Sequence, residues 1–282
     1  PLVFKKLVEG FDDPTDVFRH SVEDLVQNHG VPAEIAQAMH AEESNREDLA
    51  DTLAVFDSTE IEVLFHHLHA AHFPRLSSGP DWHFLNLLGD TNAIDAPKII
   101  GIVGRRDASD QGLQYAHDLA ETLGDQGIPT LSGLARGIDQ AAHQGSLSTG
   151  GPTLALIPEG ILRFLRRSKP HYPILHNGAR SPLLILSGCS PWERWSVGEA
   201  MRRNRWIAGW CDALIVVEAN PEGGTWRTAE AASRLGRPLW VCTGFDQADG
   251  KGNRQLIQSI GGQELKVTME PEEAVALILA EG

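Results

Sequence analysis

The chain has 282 residues, of which 41% are hydrophobic and 22% are charged, and its formal net charge is −14. These values are typical of a folded globular protein and exclude disordered and fibrous classes. The three cysteines are widely spaced and odd in number, which argues against a disulfide framework and predicts a reducing, cytoplasmic location. No apolar run approaches the length of a membrane span.

Charge divides the sequence into two parts. Residues 1–97 contain 5 Lys and Arg against 18 Asp and Glu, whereas residues 98–282 are nearly neutral. The net charge therefore does not by itself exclude a nucleic-acid ligand for the second part. We predict an acidic all-helical domain over residues 1–72, a connector over residues 73–97, and a Rossmann-like core over residues 98–282.

The predicted helical domain is based on apolar residues at helical spacing, namely Phe18, Val22, Leu25 and Val26, and later Ile61, Leu64, Phe65 and Leu68. Its last part contains four histidines, His66, His67, His69 and His72. Because neither cysteine nor a tight carboxylate cluster accompanies them, we expect a solvated helix end and no metal site. Residues 73–97 are rich in Pro, Gly and Ser, which predicts an irregular connector.

Residues 98–282 alternate between apolar runs and helical patterns. The apolar runs predict six strands, at residues 98–104, 128–131, 153–157, 183–186, 213–217 and 239–242. Near-continuous apolar runs are typical of parallel strands that are buried on both faces. Strands that alternate with helices predict an α/β fold with a doubly wound, mostly parallel sheet of the extended Rossmann-like type.

One strand–turn–helix junction, at residues 131–139, has the features of a ligand site. Gly133 and Gly137 permit close approach of the backbone to a bound group, and Arg136 between them adds a positive charge. Similar turns follow the first and the fifth predicted strands, at residues 102–106 and 219–225. Because the carboxyl ends of parallel strands share one edge of the sheet, we expect all three turns to converge on one site.

Two arginine-rich segments are candidates for the same site. Residues 201–209 contain Arg202, Arg203 and Arg205. Arginine suits phosphate because its planar fork donates paired hydrogen bonds, although one of the three is expected to neutralise a buried acid such as Glu218. The second segment, residues 161–176, is open to a binding role or to an ordinary solvated surface, and it carries Arg163, Arg166, Arg167 and Lys169.

Motifs of the common nucleotide-dependent enzymes and hydrolases are missing. The sequence contains no Walker motif, no Gly-x-Gly-x-x-Gly fingerprint after the first strand and no Gly-x-Ser-x-Gly elbow. Ser132 ends a strand without an evident base beside it, and His143 on the following helix is expected to pack in the core. We therefore predict no catalytic residue, no cofactor and no metal.

Taken in order, these segments resemble the DprA/Smf family of DNA-processing proteins. The resemblance runs from Phe73 to about Met269, and its most specific segments are Val103–Arg106, Ser132–Asp139, Arg203–Gly209, Val217–Ala219, Gly236–Val241 and Gly252–Ile257. It implies an extended Rossmann-like domain that binds and protects incoming single-stranded DNA. It also implies a homodimer that helps to load a RecA-type recombinase in natural transformation and recombination.

On this resemblance, arginines contact phosphates, small residues shape the pocket, and no reaction is catalysed. The implied nucleic-acid-binding residues are Gly104, Arg105, Arg106, Ser132, Gly133, Arg136, Gly137, Arg203, Asn204, Arg205, Gly223, Gly224 and Thr225. A cationic groove of this kind holds a single strand largely without sequence preference. Four tryptophans are candidates for base stacking, core packing or dimer contacts: Trp192, Trp195, Trp206 and Trp226.

Two other functions stay open. The segment Pro221–Thr225 also resembles a loop of the nucleoside-monophosphate phosphoribohydrolases, and Glu230 is then the candidate for that family's later acid. Alternatively, the cationic pocket binds a free nucleotide as a signal. Steep salt dependence of DNA binding favours the DNA-binding function, whereas release of free base that Glu230→Gln abolishes favours the enzyme.

Overall fold

The computed structural model describes residues 20–34, 36–37, 54–168, 178–245 and 251–281, so predictions that concern Phe18 and Lys169 lie outside the described residues. Its strands are β1 Glu62–Phe65, β2 Phe84–Leu88, β3 Ile100–Val103, β4 Thr130–Ser132, β5 Thr153–Leu156, β6 Leu183–Ser187, β7 Ala213–Val216, β8 Leu239–Thr243 and β9 Gln263–Lys266. Within these ranges they form one nine-stranded sheet with the order β1-β2-β6-β5-β4-β3-β7-β8-β9.

Strands β3 to β9 run parallel to one another, and β1 and β2 extend the sheet beyond β6 in antiparallel pairing. The chain passes outward from β3 to β6 and then returns to the other side of β3 with β7. The strand order therefore reverses between β3 and β7, and doubly wound sheets bind ligands near the carboxyl ends of strands at such a point. The predicted α/β class and the doubly wound sheet are confirmed, with all six predicted strands present.

Helices cover both faces of this sheet. The helices that do so are α2 Asp110–Asp125, α3 Ile138–Ser148, α4 Ile161–Ser168, α5 Val197–Trp210, α6 Gly224–Arg234, α7 Lys251–Ile260 and α8 Pro271–Glu281. An earlier helix, α1 Val22–Gln27, packs through Leu25 in a separate small cluster with Val31 and Ala36. Residues 54–59 are also helical, and single turns occupy His66–His69, Ala70–His72, Pro74–Ser77 and Thr91–Asp95. The apolar sides of α2, α3, α4 and α8 pack on one face of the sheet, and those of α5, α6 and α7 pack on the other.

Three strands were not predicted, and two predictions for the N-terminal third are wrong. The segment with Ile61, Leu64, Phe65 and Leu68 was expected to be a helix, but it contains β1 and only then a helical turn. The expected irregular connector contains β2, and β9 was also missed. Periodicity does not distinguish such short apolar runs, and β2 depends on β6, a distant segment, for its pairing. The domain boundaries at residues 72 and 97 stay predictions.

Arg75 ties residues 73–97 to the sheet. Its guanidinium donates to the Asp212 carboxylate at 2.7 Å, to the Trp210 carbonyl at 3.2 Å and to the Ala96 carbonyl at 2.8 Å. Asp212 in turn accepts a hydrogen bond from the backbone N–H of Ile99 at 2.7 Å, directly before β3. One partly buried side chain therefore fixes three separate segments of the chain.

We expect Arg75→Ala to lower the free energy of unfolding by about 2 kcal/mol, because hydrogen bonds to charged groups contribute about 1.5–3 kcal/mol. Urea unfolding followed by circular dichroism measures the loss. Arg234→Ala is the matched control, since Arg234 is largely exposed and pairs with Glu230 on its own helix. A loss for Arg75→Ala no larger than that of the control contradicts the anchoring role.

The three cysteines, Cys189, Cys211 and Cys242, are free and buried. Burial raises the pKa of the Cys189 and Cys211 thiols to about 12, and it raises the pKa of Cys242 as well. The odd, widely spaced cysteines of the sequence therefore fill space in the core as protonated thiols. Among the described helices, none is both long enough and apolar enough to cross a membrane.

Candidate functional site

An open cavity of about 1020 Å³ lies at the carboxyl ends of three parallel strands. Arg106 reaches it after β3, residues 133–136 after β4, and residues 157–159 after β5. The cavity therefore occupies the edge of the sheet where the sequence predicted a ligand site, beside the reversal of strand order. Helices α4 and α5 and the loop before α5 complete its walls.

Arginine dominates the lining of this cavity. Seven arginines line it, whereas Glu159 is its single acidic residue among the described residues; the arginines are Arg106, Arg136, Arg163, Arg166, Arg167, Arg194 and Arg203. Glu159 lies 3.8 Å from Arg163 and also contacts Arg167. Asp107 and Asp139 lie outside the lining but pair with Arg136 and Arg203, so three carboxylates offset part of the charge of the seven arginines. The lining remains predominantly cationic, which favours an anionic ligand.

Three of these arginines come from α4 because that helix is strongly amphipathic. Ile161, Leu162, Phe164 and Leu165 are buried, which leaves three positions of the helix exposed. Arg163, Arg166 and Arg167 occupy these exposed positions and reach the cavity. Residues 161–168 thus form one wall of the cavity, and the binding role that the sequence left open for this segment stays a prediction.

Arg203 lines the cavity and pairs with the buried Asp139 behind it. The two side chains are 8% and 7% exposed, and the Arg203 guanidinium lies 3.7 Å from the Asp139 carboxylate. A side chain at Gly133 would overlap the Arg203 guanidinium, so glycine is required where the turn crosses this ion pair. The expected ion pair between one of these arginines and a buried acid is present, but the acid is Asp139 and not Glu218. The ligand-binding role of Arg203 stays a prediction.

Asp139 also organises the backbone of both turns. Its carboxylate accepts hydrogen bonds from the N–H groups of Ala135, Gly104 and Gly133. Burial raises the pKa of this carboxyl, while Arg203 and these three N–H groups oppose the rise. A single buried acid therefore connects the turn after β3, the turn after β4 and helix α5.

Two residues of the turn after β4 adopt backbone conformations that are uncommon outside glycine. Leu134 has φ of +54° and lines the cavity, and Gly137 has φ of +90°. A side chain at Gly137 would collide with the carbonyls of Arg105 and Arg106, so this glycine lets the two turns meet. Between them, Arg136 lines the cavity, is 73% exposed and pairs with Asp107.

Several predicted site residues do not line the cavity and instead contact residues of the sheet and of the neighbouring turns. Ser132 is buried, and its hydroxyl donates to the Ile102 carbonyl within the sheet. Arg105 turns toward the buried Glu218, with 4.0 Å between the closest nitrogen and oxygen. Gly104 packs against Ile138, and its N–H donates to Asp139 at 3.4 Å. Their phosphate-contacting role stays a prediction, and their observed contacts are structural.

The remaining predicted residues lie elsewhere. Arg205 does not line the main cavity; it lines a neighbouring cavity of about 520 Å³ with Arg202 and Trp206. Residues two apart on a helix point about 200° apart, which explains why Arg203 and Arg205 face different cavities. The turn with Gly223, Gly224 and Thr225 does not line the main cavity either, and Asn204 donates to the Gly224 carbonyl at 3.2 Å. Two of the three predicted turns converge.

The proposed enzymatic acid has structural partners. Glu230 accepts a hydrogen bond from the Trp226 indole at 3.0 Å and lies 3.7 Å from Arg234, all on α6 and outside the main cavity. Two histidine–carboxylate groups among the described residues have metal-ligand proximity, namely His20, Asp24 and His29, and His117, Asp118 and Glu121. Neither group lies in the main cavity, whose guanidinium lining suits an anion and not a cation.

The fold and the cavity together define a doubly wound, Rossmann-like protein with a cationic site at its strand ends. Residues 67–272 match the family model described as DNA recombination-mediator protein A. The chain belongs to this family, and the resemblance to DprA/Smf proteins that the sequence motifs indicated is confirmed.

Curated relatives include the DNA processing protein DprA of Streptococcus pneumoniae, which is 33% identical over 156 residues, or 55% of this chain and 54% of the relative. Protein Smf of a Synechocystis species is 31% identical over 173 residues, or 60% of this chain and 43% of the relative. The chain thus spans about half the length of these curated relatives.

Two solved structures share the fold. The X-ray structure of DprA from Streptococcus pneumoniae superposes with a TM-score of 0.72 at 24% identity, covering 98% of this chain and 92% of that one. DNA processing protein A from Helicobacter pylori, described for its single-stranded DNA binding mode, superposes with a TM-score of 0.65 at 24% identity. That match covers 78% of this chain and 96% of the other. At 24% identity, these two superpositions support a shared fold.

Proposed function

We propose that this protein binds single-stranded DNA in the arginine-lined cavity and catalyses no reaction there. The observation that carries the proposal is the cluster of seven arginines around one open cavity with one acidic side chain. A single strand presents several phosphates in sequence, which such a cavity neutralises with release of counterions. Membership of a family of recombination mediators supports the same ligand.

The proposal includes the wider role that the family implies. Bound in this way, the protein protects incoming single strands in the cytoplasm and assists their transfer to a RecA-type recombinase, acting as a homodimer. The relatives named as DNA-processing proteins support this role, and so does the solved relative described as a single-stranded DNA binder. Analytical ultracentrifugation and a recombinase-loading assay test the dimer and the transfer separately.

Fluorescence anisotropy of labelled oligo-dT over a salt series tests the binding. We expect Arg136→Ala/Arg166→Ala to weaken binding at least about tenfold, since a loss of 1.4 kcal/mol is a factor of ten. The slope of log affinity against log salt should also flatten by about 1.4, because each neutralised phosphate of a single strand contributes about 0.7. Both arginines are exposed, so the fold should be unchanged.

Two single variants make the test specific to the main cavity. Arg234→Ala removes an exposed arginine on α6 and should leave affinity and slope as in the wild type. Arg205→Ala removes the arginine that faces the neighbouring cavity and should behave like this control. If Arg205→Ala weakens binding as strongly as the double variant, the strand does not follow the main cavity.

The nucleotide-signal function makes a different prediction for the same cavity. If folded wild-type protein binds no oligo-dT at low salt but binds a nucleoside phosphate at micromolar concentration, the ligand is a free nucleotide. Isothermal titration with mono-, di- and triphosphates measures this outcome. Loss of such binding in Arg136→Ala/Arg166→Ala would place the nucleotide in the arginine-lined cavity.

A further inference from the structure

Two aromatic side chains line the cavity, Phe164 and Trp195, and Phe164 is buried. Trp195 lines the cavity, is 47% exposed, and directly follows Arg194, which also lines it. We propose that Trp195 is a base-stacking platform, on which one base of the bound single strand lies while the arginines hold its phosphates. This inference rests on the proposed function and adds recognition of the base to recognition of the backbone.

The other candidate tryptophans differ from Trp195 in burial or in place. Trp206 is buried, stacks on Trp210 with 5.3 Å between ring centroids, and has the Arg202 guanidinium 5.1 Å above its ring. Trp226 is 9% exposed and donates to Glu230. Trp192 is 51% exposed but does not line the cavity. Trp195 therefore combines a half-exposed indole with a position among the arginines of the cavity.

The loop that presents Trp195 is fixed at its first half by the start of α4. The N–H groups of Leu162 and Arg163 donate to the Pro191 carbonyl at 3.0 and 3.3 Å. The N–H of Gly160 donates to the Glu193 carbonyl at 3.0 Å. A side chain at Gly160 would collide with the carbonyls of this loop, so the close contact requires glycine. The loop and α4 therefore hold their cavity-lining side chains in fixed relation.

The second half of the loop is fixed by helix α5. Ser196 is the N-cap of α5, and its hydroxyl accepts a hydrogen bond from the N–H of Glu199 at 3.1 Å. Trp195 is the residue directly before this cap, so its backbone is anchored on both sides. A side chain that is placed before the ligand arrives loses little conformational freedom on binding, which favours affinity.

Stacking explains why a half-exposed indole borders a cationic cavity. Each nucleobase has a flat π face, so an aromatic platform binds single strands without strong sequence preference. Stacking also contributes to affinity without neutralising a phosphate, so its loss should leave the salt dependence unchanged. These two properties separate the role of Trp195 from that of the surrounding arginines.

The test compares Trp195→Ala and Trp195→Phe on two probes, oligo-dT and an abasic oligonucleotide of equal length. We expect Trp195→Ala to weaken oligo-dT binding about tenfold, with the salt slope unchanged, and to leave abasic binding within about twofold. Trp195→Phe retains a ring and should restore most of the affinity. Trp192→Ala, in the same loop but outside the cavity lining, should match the wild type on both probes.

The outcomes distinguish this inference from the proposed function. Equal affinity of wild type and Trp195→Ala for oligo-dT overturns the stacking role and leaves the arginine-lined cavity as the binding site. A loss that is the same for both probes also overturns it, because the effect then does not depend on a base. If folded wild-type protein binds neither probe at low salt, the proposed function fails and the stacking role fails with it.

Discussion

In urea unfolding at neutral pH, Arg203→Ala is expected to lose about 3–5 kcal/mol of stability, because the change leaves the Asp139 carboxylate buried without its counter-charge. The variant should also lose oligo-dT binding, because Asp139, the partner of Arg203, accepts hydrogen bonds from both turns that reach the cavity. Circular dichroism during urea titration measures the first effect, and anisotropy measures the second. A stability loss under about 1 kcal/mol would contradict the structural role of this pair.

A second variant and the pH dependence identify the cause of this loss. Arg203→Met/Asp139→Asn removes both charges and keeps an acceptor oxygen for the turn N–H groups, so it should recover most of the stability. Burial raises the folded-state pKa of Asp139, and Arg203 opposes this rise. In Arg203→Ala the guanidinium is gone, so we expect the folded-state pKa of Asp139 to rise further above its unfolded value. The folded variant then binds a proton more tightly than the unfolded chain. Its deficit relative to the wild type should therefore shrink as the pH falls to about 5.

Asn253→Ala is expected to cost at least about 3 kcal/mol. The fully buried Asn253 side chain accepts a hydrogen bond from the Ala219 N–H and donates to the Val217 and Cys242 carbonyls, each at 2.7 Å. Alanine leaves three buried backbone groups without partners, and each such group costs about 1–3 kcal/mol. The amide thus joins α7 to the ends of β7 and β8. Urea unfolding measures the effect.

Two further variants serve as comparisons for Asn253→Ala. Arg254→Ala changes the next residue of α7, which is exposed, and should stay within about 0.5 kcal/mol of the wild type. Asn253→Asp keeps an acceptor for the Ala219 N–H but loses both donors, so it should remain strongly destabilised. If Asn253→Asp is as stable as the wild type, the two donated hydrogen bonds contribute little.

The parallel core could be predicted because each of its strands carries its own signal. Runs such as Ile100–Val103 and Ala213–Val216 are apolar at every position, since both faces of the strand are buried. The strands β1 and β2 carry no such independent signal. Their four or five residues match several patterns. The place of β2 is decided by pairing with β6, a segment far along the chain, and that of β1 by pairing with β2.

The sequence predicted the turns of the candidate site better than the side chains that its helices supply. The glycines of the turn after β4 predict a close approach of the backbone, and Arg136 predicts a positive charge there. In the structure, residues 133–136 of that turn line the cavity. Arg203 and Arg205 look alike in sequence, and only the rotation of α5 assigns them to different cavities. Arg194 and Glu159 had no motif to indicate them, because their positions in the cavity depend on how the loop before α5 and α4 meet.

The state of the three thiols has a practical consequence for measuring conformation in solution. Only the thiolate reacts rapidly with maleimides, and the raised pKa values of Cys189 and Cys211 leave almost no thiolate at neutral pH. All three side chains are also shielded from reagent by the core. A single cysteine introduced at exposed Arg254 can therefore carry a fluorophore while every native cysteine is retained. The fluorescence of this label can then be used to measure oligonucleotide binding without the substitution of any core residue.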